Sequence, residues 1–153
     1  MRKIAFLWIG MVFILSSCQQ KNIYSHFYSI PTEGWHADSV MDYSIEIEDS
    51  VMNHEVLIVL RHTSQYPYQN LWLFVDEYVG DMCVHHDTIE AQMADEYGRW
   101  LGSGLKTYEL PLLYDEHYRF GHSGAHSFKL RQGMRTEWLK GITDVGVVVK
   151  VRY

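Results

Sequence analysis

The sequence predicts an all-β fold, and three observations predict it. Aromatic residues are abundant, with 11 Tyr, 6 Phe and 5 Trp in 153 residues, and aromatic side chains suit a pleated, half-buried surface. Several stretches alternate apolar and polar residues, the period of a strand with one wet face. Turn signals recur about every 8 to 15 residues, and they separate about eight strands in the manner of a β-sandwich or jelly roll. A closed barrel is the runner-up. Two packed sheets are favoured because doubly apolar strands, suited to the centre of a sandwich, occur beside alternating ones.

The chain opens with Arg2 and Lys3, followed by an apolar run of 12 residues from Ile4 to Leu15. A positive start, a short apolar middle and small residues at the cut define a secretory signal. The run is too short to stay as an anchor, since a spanning helix needs roughly 18 to 20 residues. Leu15-Ser16-Ser17-Cys18 looks like the lipobox of a bacterial lipoprotein. There the cysteine thiol takes a diacylglycerol, the peptide is cut before it, and the new amine is acylated. An ordinary signal with a chance cysteine nearby is the alternative. The expected organisation is a removed signal over 1–17, a lipidated tether over 18–23 and a single β-sandwich domain over 24–153. One acyl chain binds membranes only reversibly, and stable anchoring takes about two. A modified lipoprotein cysteine carries two or three. The covalent lipid on Cys18 is the sole attached group expected, with no cofactor and no metal.

Tyr24 to Ile30 reads as a first strand, closed by Pro31. Met41 to Glu48 alternates cleanly, with Met41, Tyr43, Ile45 and Ile47 on one face. Val56-Leu57-Ile58-Val59-Leu60 reads as a strand buried on both faces, and Leu71-Trp72-Leu73-Phe74-Val75 is a similar run. Tyr66-Pro67-Tyr68 makes the turn between them. Val84 to Met93 is a weaker strand suited to a sheet edge. Asp95 to Gly104 is a glycine-bearing loop carrying Trp100 and Leu101. Thr107 to Tyr114 alternates again; Pro111 lacks a donor for the ladder, so this strand belongs at an edge or a bulge. Ala125 to Arg131 aligns His126, Phe128 and Leu130. Arg135 to Lys140 reads as one short helix stopped by Gly141. Val145 to Tyr153 closes the chain with valines on one face.

Removal of residues 1–17 leaves 11 basic and 19 acidic residues, a net charge of −8 with neutral histidines. That balance argues against nucleic acid, which needs clustered Lys and Arg. It also argues against electrostatic adhesion to anionic lipid, so acyl chains must supply the membrane affinity. With Cys18 modified, Cys83 has no intramolecular partner. Its apolar neighbours Met82 and Val84 favour a buried free thiol over a bond between chains.

No stretch assembles a reaction centre. His85 and Asp87 share a strand face, but two ligands are too few for zinc. A site completed by a third group is the alternative to surface and turn histidines. His122 and His126 lie four apart among glycines that oppose a helix. Gly121-His122-Ser123-Gly124 is followed by a strand, not the helix a nucleophile elbow requires. Asp76-Glu77 and Asp115-Glu116 read as solvated loop charges. Trp72 reads as core. Trp35 and Trp100 fall in loops, where exposed rings would mark contact with a protein or glycan. Lys129, Arg131, Arg135 and Lys140 form the single basic concentration, read as a solvated edge.

Tyr66-Pro67-Tyr68-x-Asn70-Leu71, Gly98-x-Trp100-Leu101-Gly102-x-Gly104, and Met134-Arg135 followed by Leu139-x-Gly141-Ile142-x-Asp144-Val145-Gly146 carry a resemblance. Together with the lipobox, the chain resembles the GldH gliding-motility lipoproteins of the Bacteroidetes over essentially its whole length. The resemblance implies a cell-envelope lipoprotein linked to the gliding apparatus and, through it, to a secretion machinery; it does not imply an enzyme, and the expected reading is a non-catalytic protein anchored in the outer membrane. It carries over one functional position, Cys18. No acidic run follows that cysteine, which favours a periplasm-facing domain. Expected partners are the membrane, through Cys18, and envelope proteins of the machinery. A carbohydrate-binding module of the same fold is the competing reading, and coplanar, exposed Trp35 and Trp100 would support it.

Overall fold

The computed structural model describes residues 21–152. The signal segment and Cys18 lie outside the described residues. The described chain consists of strands joined by turns and loops: β1 Asn22–Ser29, β2 Trp35–His36, β3 Met41–Ile47, β4 Asn53–Thr63, β5 Asn70–Val79, β6 Met82–Gln92, β7 Thr107–Tyr118, β8 Gly124–Gln132, β9 Trp138–Leu139 and β10 Ile142–Arg152. Eight long strands form two four-stranded antiparallel sheets, ordered β1-β10-β4-β7 and β3-β8-β5-β6. The short β2 and β9 pair separately as a ribbon. The sandwich expected from the alternation is what the chain forms.

The inner faces supply the core. Tyr43, Ile45 and Ile47 of β3 face Val56, Ile58 and Leu60 of β4 and Val145, Val147 and Val149 of β10 within one buried cluster. Each such side chain contributes about 1.5–3 kcal/mol on burial. Tyr43 also donates its hydroxyl to the Val145 carbonyl at 2.8 Å, tying one sheet to the other. Burial foremost, then the neighbouring Tyr28 and Tyr24, pushes its phenol well above the ordinary value.

Antiparallel pairing sorts the connections into two poles. The start of β1, the end of β10 and the turns β3–β4, β5–β6 and β7–β8 share the near pole. Lys21 and Asn22 line one depression with Glu48, Asp49 and Met52, which brings the β3–β4 turn beside the N-terminal entry. The β2–β9 ribbon, the Gln65–Gln69 turn, the 93–106 loop and the 133–137 loop gather at the far pole.

Several expectations are corrected. Residues 135–140 form no helix. Gln132 accepts the Met134 N–H at 2.8 Å and donates to the Thr136 carbonyl at 2.9 Å, holding a loop that delivers Trp138–Leu139 to β2. The β5 run is not buried on both faces, whereas β4 comes close to it, with Val56, Ile58, Val59 and Leu60 all buried. In β5, Leu71, Leu73 and Val75 point inward while Trp72 is 39% exposed, so Trp72 is not core. In β4, Leu57 is half-buried on the outer face. Cys83 is exposed rather than buried, because β6 is an edge strand with a largely wet surface. The edge positions of β6 and of Pro111-bearing β7 are as the sequence predicts.

Asp76 and Glu77 are not loop charges but buried residues of β5. They point to opposite faces, as adjacent strand residues must. On the outer face Asp76 meets His86 and lies 3.5 Å from Arg131 Nη2. Inside, Glu77 Oε2 accepts the Tyr118 hydroxyl, and Glu77 Oε1 shares a 2.7 Å hydrogen bond with His126 Nδ1. The other His126 nitrogen donates to the His122 carbonyl at 2.8 Å. Both ring nitrogens of His126 thus face oxygen partners in the interior. Histidines 54, 62 and 126 are therefore buried, not surface or turn residues.

Candidate functional site

The far pole gathers several aromatic residues that lie apart in sequence, among them Tyr66, Trp100 and Tyr108. Trp100 is carried by the 93–106 loop, which Asp95 organises. One Asp95 carboxylate oxygen accepts the backbone N–H of Tyr97 and of Arg99, each at 2.9 Å, and the other accepts Arg99 Nε at 2.7 Å. Those bonds, the Arg99 backbone N–H foremost, hold the Asp95 carboxyl below its usual range. The folded loop returns Leu101 N–H to the Met93 carbonyl at 2.9 Å.

Trp100 then packs on His62, with ring centres 4.7 Å apart and near edge-on. His62 also contacts Tyr66 at 5.9 Å and stacks on Tyr108 at 5.4 Å. This ring cluster is a packing hub. His62 Nδ1–H donates to the Thr63 carbonyl at 3.1 Å and Nε2 has no protein partner. Burial lowers its pKa. Gly141, with φ of +87°, lies under Tyr66: a Cβ there would stand 2.4 Å from the Tyr66 nitrogen. Tyr66 donates its hydroxyl to the Asn70 carbonyl at 2.7 Å.

Trp35 is 1% exposed and belongs to β2, so the expected exposed ring is corrected. Its strand pairs with Leu139, and its indole N–H donates to the Ser39 carbonyl at 3.3 Å. Trp100 is partly buried against the core. The two do not form an open, coplanar platform. The accessible tryptophans are instead Trp138, 46% exposed and edge-on to His36 at 4.6 Å, and Trp72. Tyr68, Asn70, Trp72, Gly133, Met134 and Arg135 line a shallow groove at this pole. Its floor is held in place: Gly133 N–H donates to the Trp72 carbonyl at 2.7 Å, and Trp72 N–H points at Met134 Sδ, 3.4 Å away. Tyr97, Leu101 and Leu105 of the loop are also exposed at this pole.

The remaining candidates do not converge into a reaction centre. His85 Nε2 stands 3.8 Å from Asp87 Oδ2, the shared face that alternation requires. Among the described residues, no group of three or more His, Cys, Asp or Glu is placed to hold a metal ion. Ser103 exchanges backbone bonds with Glu109 in a turn. Lys129 lies over the Tyr78 ring at 4.3 Å and Arg131 over Phe74 at 5.5 Å, so part of the basic concentration is spent on the outer face of β8. Arg135 and Lys140 are exposed at the far pole.

The described residues thus define an antiparallel β-sandwich with one aromatic, partly apolar pole. The chain belongs to the GldH lipoprotein family, whose match spans residues 22–149. It is 33% identical over 149 residues to a gliding motility lipoprotein GldH homolog of Christiangramia forsetii, covering 92% of this chain and 91% of that protein. It is 32% identical over 141 residues to the gliding motility lipoprotein GldH of Flavobacterium johnsoniae, covering 87% of each. The family is not a known enzyme family.

Proposed function

We propose that this protein is a non-catalytic lipoprotein of the gliding-motility apparatus and its associated secretion machinery, held in the outer membrane by lipid on Cys18 and facing the periplasm. The far pole is its docking surface for an envelope protein of that machinery. The observation that carries the reading is the separation of the two ends. The chain enters at the near pole, while Trp138, Trp72, Tyr68, Leu101 and Leu105 stay exposed at the other. Large apolar groups left in water at one end of a domain suit an interaction site, and aromatic anchors carry much of the affinity of such surfaces. A strand of 11 residues spans about 36 Å. Docking therefore takes place well away from the bilayer.

The test is a crosslinked pull-down from the native envelope, comparing wild type with Cys18→Ala and with a Trp72→Ala/Trp138→Ala double variant. The reading expects machinery proteins with wild type, loss of the protein from the membrane fraction with Cys18→Ala, and loss of the partner alone with the double variant. Undiminished partner recovery with the tryptophan variant would reject the docking surface. A glycan platform built on Trp35 and Trp100 is set aside because Trp35 is buried.

A further inference from the structure

We infer that the near pole is itself a membrane-contact surface, with the β3–β4 and β5–β6 turn tips seated in the headgroup layer of the bilayer. The inference rests on the proposed lipidation of Cys18 and adds the orientation of the folded part.

The tether to Cys18 is short. The Lys21 carbonyl already accepts the Val151 N–H at 3.0 Å, so Lys21 is fixed to the end of β10. Three Cα–Cα steps separate it from Cys18, at most about 11 Å when extended. The headgroup region on each side of the hydrocarbon is about 5–8 Å thick. A cysteine whose acyl chains lie in the hydrocarbon sits within that region. The pole that contains Lys21 is therefore drawn against it, with no linker long enough to let the sandwich stand clear or turn over.

Val51, 84% exposed, sits at the tip of the β3–β4 turn, which Asp49 shapes by accepting the Val51 N–H at 2.9 Å. Met82, 63% exposed, follows the Gly80–Asp81 turn into β6. Gly80 takes a φ of +59° with open space where a Cβ would stand, so this tip projects free of the body. Two apolar side chains thus protrude from separate turns at the end that carries the anchor. Interfacial contact of this kind grows with buried apolar area. Glu48, Asp49 and Asp81 flank the tips. Their charge opposes anionic headgroups and suits a zwitterionic surface. Three fixed points, the lipid and two tips, hold the long axis of the sandwich upright and aim the aromatic pole away from the bilayer.

The experiment uses the full-length, processed protein in vesicles of phosphatidylethanolamine and phosphatidylcholine containing a lipid spin-labelled near its headgroup. A fluorophore is attached through Val51→Cys, Met82→Cys or, at the far pole, Leu105→Cys, each in a Cys83→Ser background. Vesicle flotation and intact mass report the acyl chains. The expected result is several-fold stronger quenching at 51 and 82 than at 105. Acyl mass and flotation present, with equal quenching at all three positions, overturns the orientation alone. Absence of acyl mass and of flotation overturns the anchored reading and the orientation with it.

Discussion

At the scale of single residues, burial separates two tryptophans that the sequence treats alike. Trp35→Ala empties a filled core site and is expected to cost about 3–5 kcal/mol, whereas Trp138→Ala removes a half-exposed ring and should cost less than about 1 kcal/mol. Urea unfolding of the two variants checks the contrast. Two buried histidines set the acid limit. Burial lowers the pKa of His54 and of His62. The unfolded chain therefore binds more protons than the folded one below the free-histidine value of about 6.5. Their contribution is complete above that pH and is lost as pH falls toward the folded values. Stability measured against pH should decline below about 6.5, and His62→Phe should flatten the decline. The identity of the exposed rings was partly legible. Asn70, Trp72, Phe74 and Asp76 share one parity, and the polar residues at both ends of that set mark it as the outer face. Trp35 was not legible, because only pairing with residues 138–139, over a hundred positions away, buries it.

At the scale of elements, the strands were legible where chemistry alternates and less so where it does not. Met41–Ile47 shows its inward face directly, and Pro111 places β7 at an edge. The 133–141 stretch misleads because its Trp and Leu suit a helix as readily as a ribbon, and the deciding contacts with Gln132 and β2 are tertiary. Glu77, His126 and Tyr118 join β5, β8 and β7 through the buried, hydrogen-bonded Glu77–His126 pair and the Tyr118 hydroxyl. Burial foremost, then the bond to Glu77, pushes the Tyr118 hydroxyl above its ordinary value. Breaking such a pair by His126→Ala leaves a buried carboxylate without its partner and should cost about 3–5 kcal/mol. Glu77→Gln, which keeps a carbonyl oxygen as acceptor, should cost less; paired denaturation curves distinguish the two. At the far pole, Gly141→Ala forces a Cβ onto the Tyr66 backbone in a left-handed conformation. That change should destabilise more than Gly80→Ala, whose cost is the conformation alone, about 1–2 kcal/mol.

At the scale of the whole molecule, the proposed function makes the sandwich a spacer between the membrane and a partner. The all-β class was legible from local pattern. The gathering of three dispersed motif stretches at one pole was not, since it depends on which strand ends lie together. Those stretches mix packing residues, such as Tyr66 and Gly141, with surface residues, such as Tyr68, Leu101 and Arg135. The surface set is where a partner is expected. The most direct test places a photoreactive amino acid at Trp138 or Trp72, and at Leu113 on the exposed side of β7 as reference, in living cells. The account predicts adducts with a protein of the gliding or secretion machinery from the two far-pole positions and none from Leu113. Adducts confined to Leu113, or absent from all three while the protein remains in the membrane, would contradict it.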